Sequence, residues 1–144
     1  MIVLVIGGTR SGKSELAERY AARLAGTDGV TVVIPRAPLD DDDHDPDFAA
    51  RVAAHRARRL PTWNTIECGH GLPGALLASP QVALVDSLGT WVAHARDFAV
   101  DTHALLDALR TRSHPTVIVT EEVGLAVHAP TPVGRQFTDR LGED

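Results

Sequence analysis

One stretch near the start of the chain has the residue types and spacing to hold a phosphate: Gly7-Gly8-Thr9-Arg10-Ser11-Gly12-Lys13-Ser14. It fits G-x-x-x-x-G-K-[ST], with Gly7 and Gly12 as the fixed glycines. In such a loop the backbone N–H groups curl around phosphate oxygens, and side chains at the glycine positions would obstruct that approach. Lys13 would reach the β- and γ-phosphates, and the Ser14 hydroxyl would ligate Mg²⁺. A helix opening here points its positive end at the same anion. A second chemical landmark is Asp86, which closes the apolar run Gln81-Val82-Ala83-Leu84-Val85. A carboxylate at the end of a buried strand beside a phosphate loop is the expected Walker B acid, so Ser14 and Asp86 together form the predicted metal site.

A third landmark is His55. It follows Phe48 by seven residues and Val52 by three, on the inward face of a helix predicted over Pro46 to Arg59. Arg51 and Arg58 flank it, with Arg56 and Arg59 nearby. Spacing alone leaves two readings open, a hydrogen-bonded core histidine or a nucleophile. A neutral imidazole among arginines can attack a phosphate that those cations hold. The run Asp40-Asp41-Asp42-Asp43-His44-Asp45 reads as a solvated acidic loop leading into that helix rather than a metal cluster. His70, between glycines, reads as loop.

These groups need elements to position them. Met1 to Ile6 is a buried strand, and Glu15 to Leu24 is a helix with apolar Leu16, Tyr20 and Leu24 at helical spacing. Val30 to Ile34 is the next strand, so the first 35 residues or so form a βαβ unit and imply a parallel sheet. Trp63 to Glu67 is a short strand and Gly69 to Ser79 a short helix. The strand ending at Asp86 leads into a broadly helical stretch up to Arg112. Pro115 to Thr120 is a further buried strand, closed by Glu121, and Thr131 to Leu141 is a last helix. With 144 residues, 44% of them hydrophobic, the chain is long enough for one domain with a real core, spanning residues 1–144. A net charge of −5 does not suggest a nucleic-acid surface. The lone Cys68 rules out an internal disulfide framework. The first apolar run is too short to span a membrane and has no basic leader, so no signal or anchor is expected and the default is a cytoplasmic protein.

Taken together, several segments resemble one family, the bifunctional adenosylcobinamide kinase / adenosylcobinamide-phosphate guanylyltransferases of cobalamin synthesis. The segments are the loop Gly7 to Ser14, Arg51-Val52-Ala53-Ala54-His55-Arg56-Ala57-Arg58-Arg59, Trp63-Asn64-Thr65-Ile66-Glu67 and Val85-Asp86-Ser87-Leu88-Gly89-Thr90-Trp91. Glu122-Val123-Gly124-Leu125 and Arg135-Gln136-Phe137-Thr138-Asp139-Arg140-Leu141-Gly142 continue the series in the right order.

The resemblance implies a RecA-like P-loop NTPase fold, with a mostly parallel sheet flanked by helices, and a homotrimer. It implies phosphorylation of adenosylcobinamide by ATP or GTP. It also implies transfer of GMP from GTP to adenosylcobinamide phosphate through a guanylyl-histidine, with His55 at the matching position. The family's nucleotide contacts map onto Gly7, Gly8, Thr9, Arg10, Ser11, Gly12, Lys13 and Ser14, onto Arg36 and Ala37, onto Arg56, Ala57, Arg58 and Arg59, and onto Glu67 and Asp86. Glu67 would accept hydrogen bonds from a guanine edge and favour GTP. The chain differs from the family pattern at Glu121, where Asn is usual, and at Ala126-Val127-His128-Ala129-Pro130. A carboxylate at Glu121 is expected to repel phosphates unless it meets a cation. The resemblance further implies that the family's final helix and strand are lacking after Asp144, leaving a sheet strand with an open edge. Two alternatives stand beside this reading: a P-loop kinase of a small alcohol without the histidine step, and a degenerate nucleotide-binding protein without turnover.

Overall fold

The computed structural model describes residues 1–8, 11–36, 62–95, 97 and 99–121. The helices expected at Pro46–Arg59 and Thr131–Leu141, the acidic run 40–45 and residues 126–130 lie outside the described residues. Within them the elements are β1 (Ile2–Gly7), α1 (Lys13–Ala25), β2 (Val30–Ile34), β3 (Asn64–Glu67), α2 (Leu72–Ala78), β4 (Val82–Asp86), α3 (Leu88–His94), α4 (Thr102–Thr111) and β5 (Thr116–Glu121). The five strands form one sheet in the order β1-β5-β4-β2-β3, and every pairing is parallel. The α/β class and the parallel sheet expected from the βαβ unit are therefore observed.

The inner strands β5, β4 and β2 are rich in Val and Ile because both of their faces are covered. The edge strand β1, expected to be buried, instead leaves Ile2, Leu4 and Ile6 exposed, because an edge strand has a neighbour on one side only. Successive residues nonetheless serve different cores. Val32, Val82, Leu84, Val117 and Val119 point to one face with Ala17, Ala21 and Ala25 of α1. Val33, Ala83, Val85 and Ile118 point to the other. There they meet Leu72 and Leu76 of α2, Leu88 and Trp91 of α3, and Leu105 and Ala108 of α4. Handedness explains this division. From β1 to β2 the chain moves across the sheet one way, and from β3 through β4 to β5 it moves back. Right-handed crossovers in opposite directions must pass over opposite faces.

Two expectations are refined and a third is met. The inward face of α1 is not Leu16 and Tyr20, which are exposed, but Ala17, Ala21 and Ala25. Alanine has no side-chain entropy to lose and lets the helix sit close to the sheet. The broadly helical stretch after Asp86 is two helices. Ala95 takes an extended conformation at the end of α3, and Asp101 starts α4 by accepting from the Ala104 N–H at 2.9 Å. The exposed His70 does lie in a turn, and its carbonyl accepts from the Trp91 indole N–H at 3.1 Å.

Arg112, just past α4, ties several chain ends together. Its Nε donates to Thr116 Oγ1 at 2.9 Å, Nη1 to the Leu76 and Ser79 carbonyls, and Nη2 to the Gln81 carbonyl at 2.7 Å. The Ser79 and Gln81 carbonyls lie past the end of α2, beyond the reach of its own N–H groups, while the Leu76 carbonyl also accepts the Ser79 N–H. Replacing Arg112 with Met should keep the aliphatic stem and remove its hydrogen bonds to the Ser79 and Gln81 carbonyls. The expected loss is about 2–3 kcal/mol of stability, read as a lower urea midpoint at unchanged m-value.

Candidate nucleotide site

The register of the sheet lines up the groups that the sequence singles out. Gly7 pairs with Glu121 across β1 and β5, Asp86 pairs with Val119 across β4 and β5, and Ile34 pairs with Glu67 across β2 and β3. Gly7, Glu121, Asp86, Ile34 and Glu67 close their strands, and because the strands are parallel their carboxyl ends share one edge. Ligands of open α/β sheets bind at that edge.

The phosphate loop begins where β1 ends. A Cβ on Gly7 would meet the Ser11 hydroxyl at 2.5 Å, so a side chain there would force Ser11 to shift. Gly12 adopts φ +78°, ψ +13° and forms the N-cap of α1, and its carbonyl accepts the Leu16 N–H at 3.1 Å. This left-handed position suits glycine and turns the loop into the helix. No side chain caps α1, so no cap side chain occupies the N–H groups of its first turn. Lys13 folds back along the loop and donates from Nζ to the Gly8 carbonyl at 3.0 Å. Ser14 is half-buried in the first turn. Thr9 and Arg10 lie outside the described residues.

Asp86 is half-buried at the end of β4, two strands from β1. At the usual strand spacing its main chain is about 10 Å from that of Gly7. A hydroxyl and a carboxylate are hard oxygen donors, which suit Mg²⁺. The described residues hold no group of three or more His, Cys, Asp or Glu able to cage a metal.

Glu121 departs from the expectation of a bare repulsive charge. Its Oε1 accepts from the Ser87 hydroxyl at 3.1 Å. Ser87 is itself the N-cap of α3, accepting from the Thr90 N–H at 3.2 Å and lying 3.0 Å from the Thr90 hydroxyl. The other oxygen, Oε2, is buried against Gly89. The carboxylate is thus turned into the first turn of α3. Sequence reasoning assigned no role to Ser87, Gly89 or Thr90. The available signal was the Ser-x-x-Thr spacing directly after a strand, which is a helix start.

Farther along the same edge, Arg36 follows β2 and Glu67 closes β3. Arg36 Nη2 lies 3.7 Å from Glu67 Oε1, and the two side chains are only 8% and 16% exposed. Cys68 follows Glu67, and burial pushes its thiol above the usual cysteine range. Ala37, His55, Arg56, Ala57, Arg58 and Arg59 lie outside the described residues. Within them, Gly7, Gly8, Ser11, Gly12, Lys13, Ser14, Arg36, Glu67 and Asp86 all fall on the carboxyl edge, at the ends of β1, β2, β3 and β4 or in the segments that leave them. No helix among the described residues is long and apolar enough to cross a membrane.

The sequence profile of the family described as "Cobinamide kinase / cobinamide phosphate guanyltransferase" matches residues 3–143. This chain belongs to that family. The cobinamide kinase / guanyltransferase match agrees with the parallel sheet and the loop on β1. Among curated relatives, the chain is 32% identical over 149 residues to the bifunctional adenosylcobalamin biosynthesis protein CobP of Pseudomonas aeruginosa. That alignment covers 96% of this chain and 82% of the relative. It is 28% identical over 164 residues to the bifunctional adenosylcobalamin biosynthesis protein CobU of Escherichia coli and 29% identical to that of Salmonella typhimurium. Each of these two alignments covers 99% of this chain and 86% of the relative.

The packing of Glu121 on Gly89 makes a prediction. A Cβ on Gly89 would run into the Glu121 carboxylate. Gly89→Ala should therefore lower stability by about 1–3 kcal/mol, the usual range for overpacking. Adding Glu121→Ala should recover part of that loss. Urea midpoints of the four proteins in the cycle measure it, and additive losses would count against the contact.

Proposed function

We propose that this chain is a bifunctional enzyme of cobalamin synthesis. It phosphorylates adenosylcobinamide with ATP or GTP, then transfers GMP from GTP to adenosylcobinamide phosphate. The observation that carries the reading is the glycine loop on β1, with its left-handed Gly12 opening an uncapped α1, facing Asp86 across the same sheet edge. The family match over residues 3–143 supplies the substrate class.

In the kinase step, the substrate hydroxyl attacks the γ-phosphorus, and the bond to the β-phosphate oxygen breaks. Charge accumulates on phosphate oxygens, so positioning and electrostatics do most of the work. The loop amides and the start of α1 hold those oxygens. Lys13 exchanges its bond to the Gly8 carbonyl for one to a phosphate oxygen. Ser14 and Asp86 would hold Mg²⁺, which when bound offsets the charge of the triphosphate.

In the transfer step, the neutral imidazole of His55 attacks the α-phosphorus. A P–N bond forms, the bond to pyrophosphate breaks, and Lys13 and the loop amides receive the leaving group. The phosphate of adenosylcobinamide phosphate then attacks the same phosphorus and releases the imidazole. Two displacements at one centre replace one difficult transfer. The product is adenosylcobinamide-GDP. Glu67 accepts from the N–H groups of guanine and sets the preference for GTP. The subunits assemble as a homotrimer, as the family resemblance implies.

Incubation with GTP radiolabelled at the α-phosphate tests the histidine step. Wild type should carry acid-labile, alkali-stable label, and His55→Ala should carry none. Label that persists in His55→Ala removes the assignment, and kinase activity without any label favours a plain P-loop kinase. Lys13→Ala should lower both activities by at least about a hundredfold, as expected when a preorganised charge at the phosphates is removed. Assays of phosphate transfer and of pyrophosphate release measure it.

A further inference from the structure

We propose that Arg36 is a positioning residue for guanine recognition, acting through Glu67 and not on the phosphates. The inference rests on the reading of Glu67 as the group that meets the guanine edge.

The first support is where Arg36 stands. It leaves β2, three strand positions from β1 in the order β1-β5-β4-β2-β3. That puts its main chain about 14 Å from the start of the phosphate loop, and Glu67 about 19 Å away, by the usual strand spacing. With its phosphates at the loop, a nucleotide laid along the carboxyl edge turns its base toward this pair.

The second support is how firmly the pair is held. Hydrogen bonds tie together the segments that follow β2 and β3. Cys68 N–H donates to the Ile34 carbonyl at 3.0 Å and Gly69 N–H to the Arg36 carbonyl at 3.0 Å. Arg36 N–H also turns back onto the Ile34 carbonyl at 2.9 Å. The main chain on both sides of the ion pair is thus fixed by three hydrogen bonds. The side chains are nearly withdrawn from solvent, 3.7 Å apart. An arginine cation this close to a carboxylate, with both nearly out of solvent, favours the rotamers that keep the two charges together. The chemistry then follows. A carboxylate only accepts hydrogen bonds. Guanine offers N–H donors on the edge where adenine offers a ring-nitrogen acceptor. A carboxylate held in one orientation discriminates between them better than one that rotates, since its ordering cost is met before the nucleotide arrives.

Calorimetric titration of the full chain with GTP and with ATP tests this, comparing the ratio of the two Kd values. Glu67→Gln should abolish most of the GTP preference. Arg36→Met should lower the ratio about tenfold, with Arg36→Lys in between, because lysine keeps the charge but loses the planar fork. Arg36→Met in the Glu67→Gln background should change the ratio no further. A purely structural Arg36 would lower the urea midpoint and leave the ratio alone. A wild-type ratio in Arg36→Met, while Glu67→Gln loses preference, overturns the positioning role and leaves the guanine reading intact. A wild-type ratio in Glu67→Gln removes the guanine reading and this inference with it. Should Arg36→Met fail to fold, Arg36→Lys decides: a ratio lowered at least about threefold supports the role, and an unchanged one overturns it.

Discussion

The parallel register of five strands is the constraint on which everything else depends. It brings Gly7, Glu121, Asp86 and Glu67 to one edge although they are spread over more than a hundred residues of sequence. Each strand end then contributes one kind of group. β1 contributes a turn rich in amide donors, β4 a carboxylate, and the β2–β3 end a buried ion pair. Side chains buried on both faces leave little freedom for register slips, because a shift of one residue would exchange the two cores. Val32 belongs to one core and Val33 to the other, so the sheet cannot slide without misplacing both.

Much of this was legible in the sequence, for identifiable reasons. The phosphate loop carries its own backbone requirements, so residue type at Gly7 and Gly12 already states the geometry. The strands ending at Ile34, Glu67 and Asp86 are apolar or β-branched runs that stop at a polar residue or a proline, a pattern with few other meanings. The inward face of α1 was not legible. Hydropathy points to Leu16 and Tyr20, yet close seating against the sheet selects the smallest side chains. The break between α3 and α4 was missed because the apolar residues continue across it, and the stop lies in the backbone at Ala95 and the restart in the Asp101 cap. The ion pair of Arg36 with Glu67 depends on register, which local patterning does not carry.

Glu121 shows how a local rule can be right and its conclusion incomplete. A carboxylate beside a phosphate loop is unfavourable if it faces the loop. The fold instead turns it toward α3, where the Ser87 hydroxyl and the open space over Gly89 receive it. Ser87 follows Asp86 directly, so that contact is also felt at the strand end proposed to hold a cation.

The alanine seam beneath α1 has a consequence of its own. With Ala17 and Ala21 fully buried, the gap between helix and sheet is about as thin as packing permits. The seam therefore acts as a shim. Its thickness fixes how high Lys13 and Ser14 stand above the strand ends. A bulkier residue in the middle of the helix would raise the whole start of α1 and detune phosphate binding from a distance, with every residue of the glycine turn still in place.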